Sequence, residues 1–308
     1  MIIGVIGLGT VGFGTVDILT KEKERLEKTI GEEVVVKYGC ALEDVDLPDG
    51  IIYTQDYHEV INDEDVDVVV ELIGGTTIAK KIILDALNKK KHVVTANKAL
   101  IAHDAKELFT VARENGVNLY YEASVGGGIP VVVPAKEDLV ANNINKVEGI
   151  LNGTTNYILT KMDKEGADFD STLKQAQDLG YAERNPEADI EGYDAVRKIA
   201  ILASLAKGKT VNFEEIYTEG ISKITAEDFK YAKAMGRSIK LLGKCKNEDN
   251  QVVASVAPRL LAPDHPLFNV SGVVNGILVR GNMVGDLVFI GSGAGKLPAQ
   301  LCLTWWIV

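Results

Sequence analysis

The stretch GVIGLGTVGFG, residues 4–14, decides the fold of the first part of this chain. Gly7, Gly9 and Gly12 give it the spacing G-x-G-x-x-G, between an apolar strand-like segment and a segment with helical periodicity. In such a loop the first glycine permits a tight turn and the second lets a pyrophosphate approach the backbone. The third lets helix and strand pack closely, and the N–H groups at the helix start face the phosphates. The stretch therefore predicts dinucleotide binding near the amino terminus.

Outward from this loop, strand-sized apolar segments alternate with helical segments up to about residue 129. One helix is predicted over residues 10–30, and strands over VVVKYGC, VDVVVELIG, HVVTA and VNLYYEA. This alternation is typical of a doubly wound parallel sheet covered on both faces. After VGGGIPVVVPA the pattern changes to a strand, three helical stretches and then mainly strands. We predict an α/β protein with a Rossmann-type domain, residues 1–129 plus a return segment 289–308, and an α+β domain over residues 130–288.

Composition limits the classes of partner. The net charge of −11 over 308 residues argues against a nucleic-acid partner, because no basic surface is available to replace phosphate counterions. The longest apolar runs are strand-sized, so no membrane span is expected, and a strand that begins at residue 2 leaves no room for a signal peptide. Cys40, Cys245 and Cys302 are widely spaced, which fits a reducing cytoplasm and neither a zinc site nor a disulfide framework.

The segment after the second strand bears on the choice of dinucleotide. It reads YGCALEDVDLPDG and places acidic Glu43 and Asp44 near the position that contacts the ribose, although the connection is longer than usual. No arginine stands there to accept a 2′-phosphate. Both NAD and NADP stay possible, with a lean towards NAD.

A second stretch, AERNPEADIEGYDAVRKIAILASLAKG over residues 182–208, places Asp194 and Lys198 four residues apart where an acidic segment becomes an apolar helix. One interpretation is an ordinary salt bridge on a solvated helix start. The other is a catalytic lysine at the edge of the core. General acid–base catalysis by such a lysine is typically worth about 10²–10⁴-fold in rate.

Three more segments join these two: VVTANKALIA, YYEASVGGGIPVV and EGILNGTTNYIL. Together and in this order they closely resemble the homoserine dehydrogenase family, from residue 2 to about Pro298. The resemblance implies NAD(P)-dependent interconversion of L-homoserine and L-aspartate 4-semialdehyde, in threonine and methionine biosynthesis. It also implies a homodimer whose interface lies in the second domain, a small amino-acid substrate and a cytoplasmic enzyme.

The family assigns roles to matching positions. Lys198 would transfer the proton with Asp194 beside it, and Lys98 would contact cofactor and substrate near the reacting centre. The implied cofactor-binding residues are Gly7, Gly9, Thr10, Val11, Gly12, Gly14, Glu43 and Lys98. The implied substrate-binding residues are Glu183, Asp189, Gly153 and Thr154. The implied ligands of a monovalent cation, usually sodium, are Glu122, Val125, Gly127 and Ile129.

Plainer roles remain open for several of these residues. Lys98 could be a surface lysine at a helix start, Asn152 and Thr154 could be helix caps, and Glu183, Asp189 and Glu122 could be ordinary carboxylates. No two of the four histidines share metal-ligand spacing, and Cys40 has no basic partner in sequence that would make it a nucleophile.

The carboxyl-terminal segment departs from the family pattern. After GAGKLP the chain reads AQLCLTWWIV, whereas a shifted reading frame could encode a segment closer to the family's helix, so we interpret residues 299–308 as a frameshift. A short form without a C-terminal ACT domain is expected. Two alternatives stay open: an L-aspartate dehydrogenase-like oxidoreductase, and an NAD(P)-binding protein whose catalysis is impaired by this tail.

Overall fold

The computed structural model describes residues 1–248 and 251–293. The chain forms two compact units, which meet in sequence between Gly128 and Ile129. The predicted frameshift segment 299–308, with Cys302 and both tryptophans, lies outside the described residues. Within the described ranges, no helix combines the length and the apolar character that crossing a membrane would require.

The first unit is built on a six-stranded parallel sheet. Its elements are β1 (Ile2–Ile6), α1 (Thr10–Lys21), α2 (Lys23–Ile30), β2 (Val35–Cys40), β3 (Ile52–Thr54), α3 (Tyr57–Asn62), β4 (Val68–Glu71), α4 (Thr77–Asn88), β5 (His92–Thr95), α5 (Lys98–Asn115) and β6 (Leu119–Tyr120). The strand order is β3-β2-β1-β4-β5-β6, so the order reverses between β1 and β4. Dinucleotides bind at such a reversal, beyond the carboxyl ends of the strands. The predicted Rossmann-type sheet is confirmed.

Two local predictions for this unit were wrong. The helix predicted over residues 10–30 is interrupted at Glu22, which has φ −98° and ψ 14°. Five residues of α1 are buried, whereas no residue of α2 is fully buried and only its Leu26 and Ile30 pack against the core. The short strand β3 was not predicted. Its three residues pair with the end of β2.

The second unit combines a mixed sheet with helices. Its elements are β7 (Ile144–Ile150), α6 (Gly153–Glu165), α7 (Phe169–Asp178), α8 (Glu187–Ile190), α9 (Tyr193–Lys207), β8 (Tyr217–Thr218), α10 (Ala226–Ala234), β9 (Ser238–Glu248), β10 (Gln251–Leu261), β11 (Val274–Gly281) and β12 (Gly285–Ser292). The sheet order is β12-β11-β7-β9-β10-β8. Strand β12 pairs with β11 as far as Ser292, so the first residues of the predicted return segment 289–308 belong to this unit.

Helix α9 packs on one face of this sheet. Gly149 and Gly243 face each other across β7 and β9. A Cβ atom at Gly243 would lie 3.1 Å from the Cβ of Ile199, so the helix approaches the strands closely where side chains are smallest. The buried residues of α9 run from Asp194 in its first turn to Ala203.

Candidate active site

The glycine loop has the geometry that its spacing predicts. Gly7 adopts φ +98°, and a Cβ atom there would lie 2.6 Å from the carbonyl carbon of Leu72. A Cβ atom at Gly12 would lie 1.8 Å from the carbonyl oxygen of Gly7, so helix α1 can begin against this turn only with glycine. At Gly9, by contrast, nothing lies within 4 Å. The loop therefore has no space for side chains at Gly7 and Gly12, but it has open space at Gly9, the glycine expected to contact a pyrophosphate.

Helix α1 starts directly from this loop. Gly9 is its N-cap, with no side-chain cap, and the Phe13 N–H donates to the Gly9 carbonyl at 2.9 Å. Thr10 and Val11 form the first turn of the helix. Gly14 lies further along the helix and is buried.

Glu43 follows strand β2 in an exposed loop. The first residues of this loop are anchored, since Tyr53 donates its hydroxyl to the Ala41 carbonyl at 3.2 Å and Gln55 donates its amide to the Leu42 carbonyl at 3.1 Å. Residues 41–50 contain four carboxylates and neither lysine nor arginine. The loop presents negative charge where the ribose is expected.

Lys98 is the first residue of α5, immediately beyond the carboxyl end of β5. Asn97 is the N-cap of this helix, and its side-chain oxygen accepts from the Leu100 N–H at 3.1 Å. The Asn97 amide also donates to the Gly75 carbonyl at 2.6 Å. The lysine therefore extends from a backbone that is fixed on both sides.

Asp194 and Lys198 form a buried pair in the first turns of α9. Their residues are 5% and 8% exposed. The Lys198 Nζ lies 2.6 Å from Asp194 Oδ2 and donates to the Leu151 carbonyl at 2.8 Å. This environment differs from that of a solvated salt bridge, since two buried acceptors hold the lysine. An ammonium has three N–H donors, which leaves a third for a substrate oxygen.

Asn152 joins this pair to a second carboxylate. Its side-chain amide donates to Asp189 at 2.7 Å and to Asp194 at 3.0 Å, while its oxygen accepts from the Thr155 N–H at 2.9 Å as the N-cap of α6. All of its hydrogen-bonding atoms are occupied. The sequence suggested Asn152 as a helix cap, with a role in the pocket left open, but not its link between the two carboxylates. The available signal was chemical: an asparagine that caps a helix still has two N–H donors, and the neighbouring stretch is rich in carboxylates.

The four side chains of Asn152, Asp189, Asp194 and Lys198 are called the Asn152 cluster below. Burial raises the pKa of Asp189, and the charge of Asp194 acts in the same direction, whereas the Asn152 amide opposes the shift. The cluster thus holds two carboxylates and one ammonium together, with a neutral amide between the carboxylates. A second cation would be favoured beside Asp189.

Of the other predicted substrate residues, Gly153 and Thr154 lie at the start of α6. A Cβ atom at Gly153 would lie 2.8 Å from the Val273 carbonyl, so glycine lets the helix begin against the chain before β11. The Thr154 hydroxyl donates to the Tyr181 carbonyl at 2.5 Å. Glu183 is exposed on the loop before α8 and, within the described residues, stands outside the Asn152 cluster. Its carbonyl accepts from the Gln177 amide at 3.2 Å.

The predicted cation ligands lie along the chain after β6. Glu122 is fully buried in a 3-10 turn, Glu122–Ser124, and Val125 donates its N–H to the Glu122 carbonyl at 3.2 Å. Gly127 has φ +55°, while Ile129 begins the second unit. Residues 1–248 and 251–293 contain no group of three or more His, Cys, Asp or Glu side chains that could hold a metal. A cation here would depend on backbone carbonyls together with Glu122.

Cys40 is excluded as a nucleophile by its surroundings. It is buried at the end of β2, and burial raises the pKa of its thiol to about 11. A thiol in this environment remains protonated near neutral pH.

A parallel sheet with a G-x-G-x-x-G loop at its reversal point, together with an α+β unit that carries a buried lysine and carboxylates, defines a dinucleotide-dependent oxidoreductase. Sequence models of two family domains match the chain: "Homoserine dehydrogenase, NAD binding domain" at residues 7–122 and "Homoserine dehydrogenase" at residues 130–301. The chain belongs to the homoserine dehydrogenase family, as the resemblance implied.

Curated relatives and solved structures agree with this placement. The chain is 46% identical to homoserine dehydrogenase of Bacillus subtilis over 96% of its length and 69% of the relative's, and 47% identical to that of Synechocystis over 96% and 70%. A Thiobacillus denitrificans homoserine dehydrogenase structure matches with TM-score 0.95 at 41% identity, covering 100% of this chain and 72% of that one. A hyperthermophilic archaeal homoserine dehydrogenase in complex with NADPH matches with TM-score 0.83 at 27% identity, covering 99% and 96%.

These relatives confirm the predicted function: interconversion of L-homoserine and L-aspartate 4-semialdehyde with a nicotinamide dinucleotide. The substrate is a small molecule, as expected.

Proposed function

We propose that the Asn152 cluster carries the proton transfer of this reaction, with Lys198 as the group that exchanges a proton with the substrate oxygen. The observation behind this proposal is the buried position of Lys198 between Asp194 and the Leu151 carbonyl. When bound, the nicotinamide ring exchanges a hydride with the substrate carbon. In the reducing direction the Lys198 ammonium donates its third N–H to the carbonyl oxygen, and in the oxidising direction the neutral amine accepts the hydroxyl proton.

Asp194 and Asn152 orient this lysine. The short contact between Asp194 and Lys198 fixes the direction of the Nζ atom. Asn152 fixes Asp194 in turn, through the amide that also contacts Asp189. The Nζ atom of Lys198 therefore has a defined position, because Asp194, which contacts it, is itself fixed by Asn152.

The substrate's ammonium is assigned to the carboxylates. Asp189 supplies a partly buried carboxylate beside Asn152, and Glu183 stands on the neighbouring exposed loop. The first turn of α6, at Gly153 and Thr154, offers backbone N–H groups for the substrate carboxylate. The two ends of an amino acid thus meet charges of opposite sign.

For the cofactor we assign the glycine loop to the phosphates and Lys98 to the reacting end. Lys98 begins α5 beyond the carboxyl end of β5, the edge at which ligands of such sheets bind. We propose a preference for NAD over NADP, because a 2′-phosphate would meet the acidic loop 41–50, including Glu43, with no basic side chain there to pair with it.

A sodium ion is proposed on the segment from Glu122 to Ile129. Glu122 is a buried carboxylate, and positive φ values at Gly126 and Gly127 turn the backbone sharply beside it. Oxygen ligands of this kind suit a hard cation. The family resemblance supplies the choice of sodium.

We also propose a homodimer that uses the sheet face opposite α9. Val253, Val288 and Ile290 are exposed there, and Val288 pairs with Leu278 on the same face. Exposed apolar side chains on a sheet face favour association. Free Cys40 and Cys245 agree with a reducing cytoplasm, which we propose as the location.

The first experiment follows nicotinamide absorbance with purified protein and L-homoserine, using NAD and NADP in parallel, and with L-aspartate as the competing substrate. Turnover of homoserine with a higher kcat/KM for NAD is expected. Turnover of L-aspartate alone would instead support the aspartate dehydrogenase alternative. Nucleotide binding without turnover of either substrate would support an impaired binding protein.

A further inference from the structure

Glu71 is a fully buried carboxylate that the proposed mechanism does not use. It closes strand β4, next to β1 and its glycine loop, and its residue is 0% exposed. Burial raises its pKa, while hydrogen bonds from Thr95, Ile73 and Gly74 oppose that shift. Burying a carboxylate destabilises the folded state unless hydrogen bonds or an opposite charge compensate the lost hydration.

Every side-chain hydrogen bond of Glu71 that the structure shows goes to the carboxyl edge of the sheet, either to the loop after β4 or to the end of β5. One oxygen accepts from the backbone N–H groups of Ile73 and Gly74, at 2.9 and 3.3 Å. The other accepts from the Thr95 hydroxyl at 2.7 Å. All three partners are donors, so the arrangement matches the ionised carboxylate, which only accepts.

Thr95 passes this constraint to the start of helix α5. Its hydroxyl oxygen accepts from the Asn97 N–H at 3.0 Å while its proton points to Glu71. Asn97 then returns to the loop after β4 through its amide, which donates to Gly75 at 2.6 Å. Lys98 follows immediately, so a closed ring of hydrogen bonds determines where its backbone begins.

The same carboxylate affects the glycine loop through the backbone of Leu72 and Ile73. The atoms that would collide with a side chain at Gly7 are the carbonyl group of Leu72 and the backbone nitrogen of Ile73. Glu71 holds that nitrogen through its hydrogen bond. The tight turn at Gly7 therefore rests on a segment whose position depends on Glu71.

We propose that Glu71 is a positioning residue for the dinucleotide pocket, because it links the glycine loop, the loop after β4 and the helix start that carries Lys98. This inference rests on the proposed function for the role of Lys98. Glu71 itself exchanges no proton with the substrate and contacts neither reactant. A neutral or absent partner would leave the two loops and the helix start in place but free to shift against each other.

The test compares Glu71→Gln and Thr95→Val with Thr95→Ser and with the control Thr172→Val. Thr172 is also buried and donates its hydroxyl at 2.7 Å, but to the backbone carbonyl of Asp168, the N-cap of α7 in the second unit. NAD affinity is measured by calorimetry, with kcat, the KM for homoserine and the melting temperature of each variant.

We expect Glu71→Gln and Thr95→Val to weaken NAD binding roughly ten-fold, the loss that follows from one hydrogen bond to a charged group. The KM for homoserine should change less than the NAD affinity, and Thr95→Ser, which keeps the hydroxyl, should restore NAD binding to near wild type. Thr172→Val should bind NAD as the wild type does, whatever its melting temperature.

Wild-type NAD affinity and kcat in both Glu71→Gln and Thr95→Val would overturn the inference, and so would equal losses in Thr172→Val. If Glu71→Gln does not fold, Thr95→Val decides. Lys98→Ala separates the two proposals: unchanged turnover in that variant would remove the role proposed for Lys98, whereas NAD affinity in the other variants tests Glu71 alone.

Discussion

At the scale of single residues, the role of Lys198 follows from its acceptors. A lysine beside one solvated carboxylate would be a surface ion pair worth little. Lys198 is instead buried between a carboxylate and a main-chain carbonyl, so its Nζ has a defined position. Defined position is what proton transfer requires of a general acid or base. The sequence could predict the pair from the spacing of Asp194 and Lys198, but burial depends on the chain packed around it.

Replacing Lys198 tests this role. Lys198→Ala should lower kcat for homoserine by about 10²–10⁴-fold, the usual contribution of general acid–base catalysis. NAD affinity, measured by titration, should stay at the wild-type level. Lys207→Ala is the matched control, because Lys207 lies in the last turn of the same helix and contacts Asn247 instead. Near-normal kcat in Lys198→Ala would exclude the proposed proton transfer.

Asn152 offers a second test at this scale. In Asn152→Asp the oxygen that caps α6 is kept, while the amide between Asp189 and Asp194 becomes a third carboxylate. We expect kcat to fall and the free energy of unfolding to drop by about 3 kcal/mol at neutral pH, as for other broken buried charge networks. Both losses should shrink in mild acid, since protonation of the new carboxyl restores one donor and removes one charge.

Asn212→Asp is the control for this substitution. Asn212 also caps a helix, the 3-10 helix Phe213–Glu215, where its side-chain oxygen accepts from the Glu214 N–H. Its amide also donates to a carboxylate, that of Glu215, at 3.1 Å. That site is exposed, where water screens the added charge. If Asn212→Asp and Asn152→Asp have the same effect on kcat and stability, the cluster has no special role in the reaction.

At the scale of elements, two glycines of the G-x-G-x-x-G loop meet different requirements, one for packing and one for ligand binding. Gly12 has no room for a side chain, because the Gly7 carbonyl would lie 1.8 Å from its Cβ. Gly9 has open space and φ −66°, which any residue can adopt. Glycine is therefore required at position 12 for α1 to begin against β1, whereas at position 9 it leaves space for the pyrophosphate of the dinucleotide.

Alanine at each position should separate these requirements. Gly12→Ala should lower the free energy of unfolding by about 1–3 kcal/mol or more, the usual cost of overpacking. Gly9→Ala should melt at the wild-type temperature but bind NAD more weakly, since its methyl group would occupy the space of the pyrophosphate. Thermal denaturation and NAD titration of both variants check this. Weakened folding in Gly9→Ala with unchanged NAD affinity would contradict the assignment.

At the scale of the whole molecule, sequence reasoning predicted what depends on local pattern. The alternation of apolar strands and helices predicted a Rossmann-type sheet and a different second fold, and ordered motifs indicated the family. Spacing along a helix placed Asp194 beside Lys198. These features are visible in sequence because each is fixed by residues close to one another along the chain.

Features that depend on distant contacts were not predicted. The break of the first helix at Glu22 depends on which residues the sheet can cover, and β3 forms only because β2 offers a free edge. Asn152 meets Asp189 and Asp194 across 37 and 42 residues of sequence. Glu71 meets Thr95 across 24. Such partners become evident only when the fold brings them together.

At this scale, the free energy of unfolding of the whole chain should depend on pH because of Lys240, a buried lysine in β9. It is 3% exposed, its Nζ donates to the Val270 carbonyl at 2.6 Å, and burial lowers its pKa from 10.5 to about 8. Below pH 8 the lysine is charged in both states, so the native state bears the full cost of burying that charge. Between these two pKa values the unfolded chain binds more protons than the native one, and stability therefore rises with pH.

Lys240→Met removes that cost and keeps the length of the side chain. We expect the variant to exceed the wild type in free energy of unfolding by roughly 1–3 kcal/mol near pH 7, because the carbonyl of Val270 loses one donor but the charge is no longer buried. The difference should decline as pH rises from 8 towards 10.5, where the wild-type lysine becomes neutral in both states. Urea denaturation across this range, with exposed Lys230→Met as control, measures it. A difference that is constant with pH would mean that Lys240 does not change its protonation on unfolding.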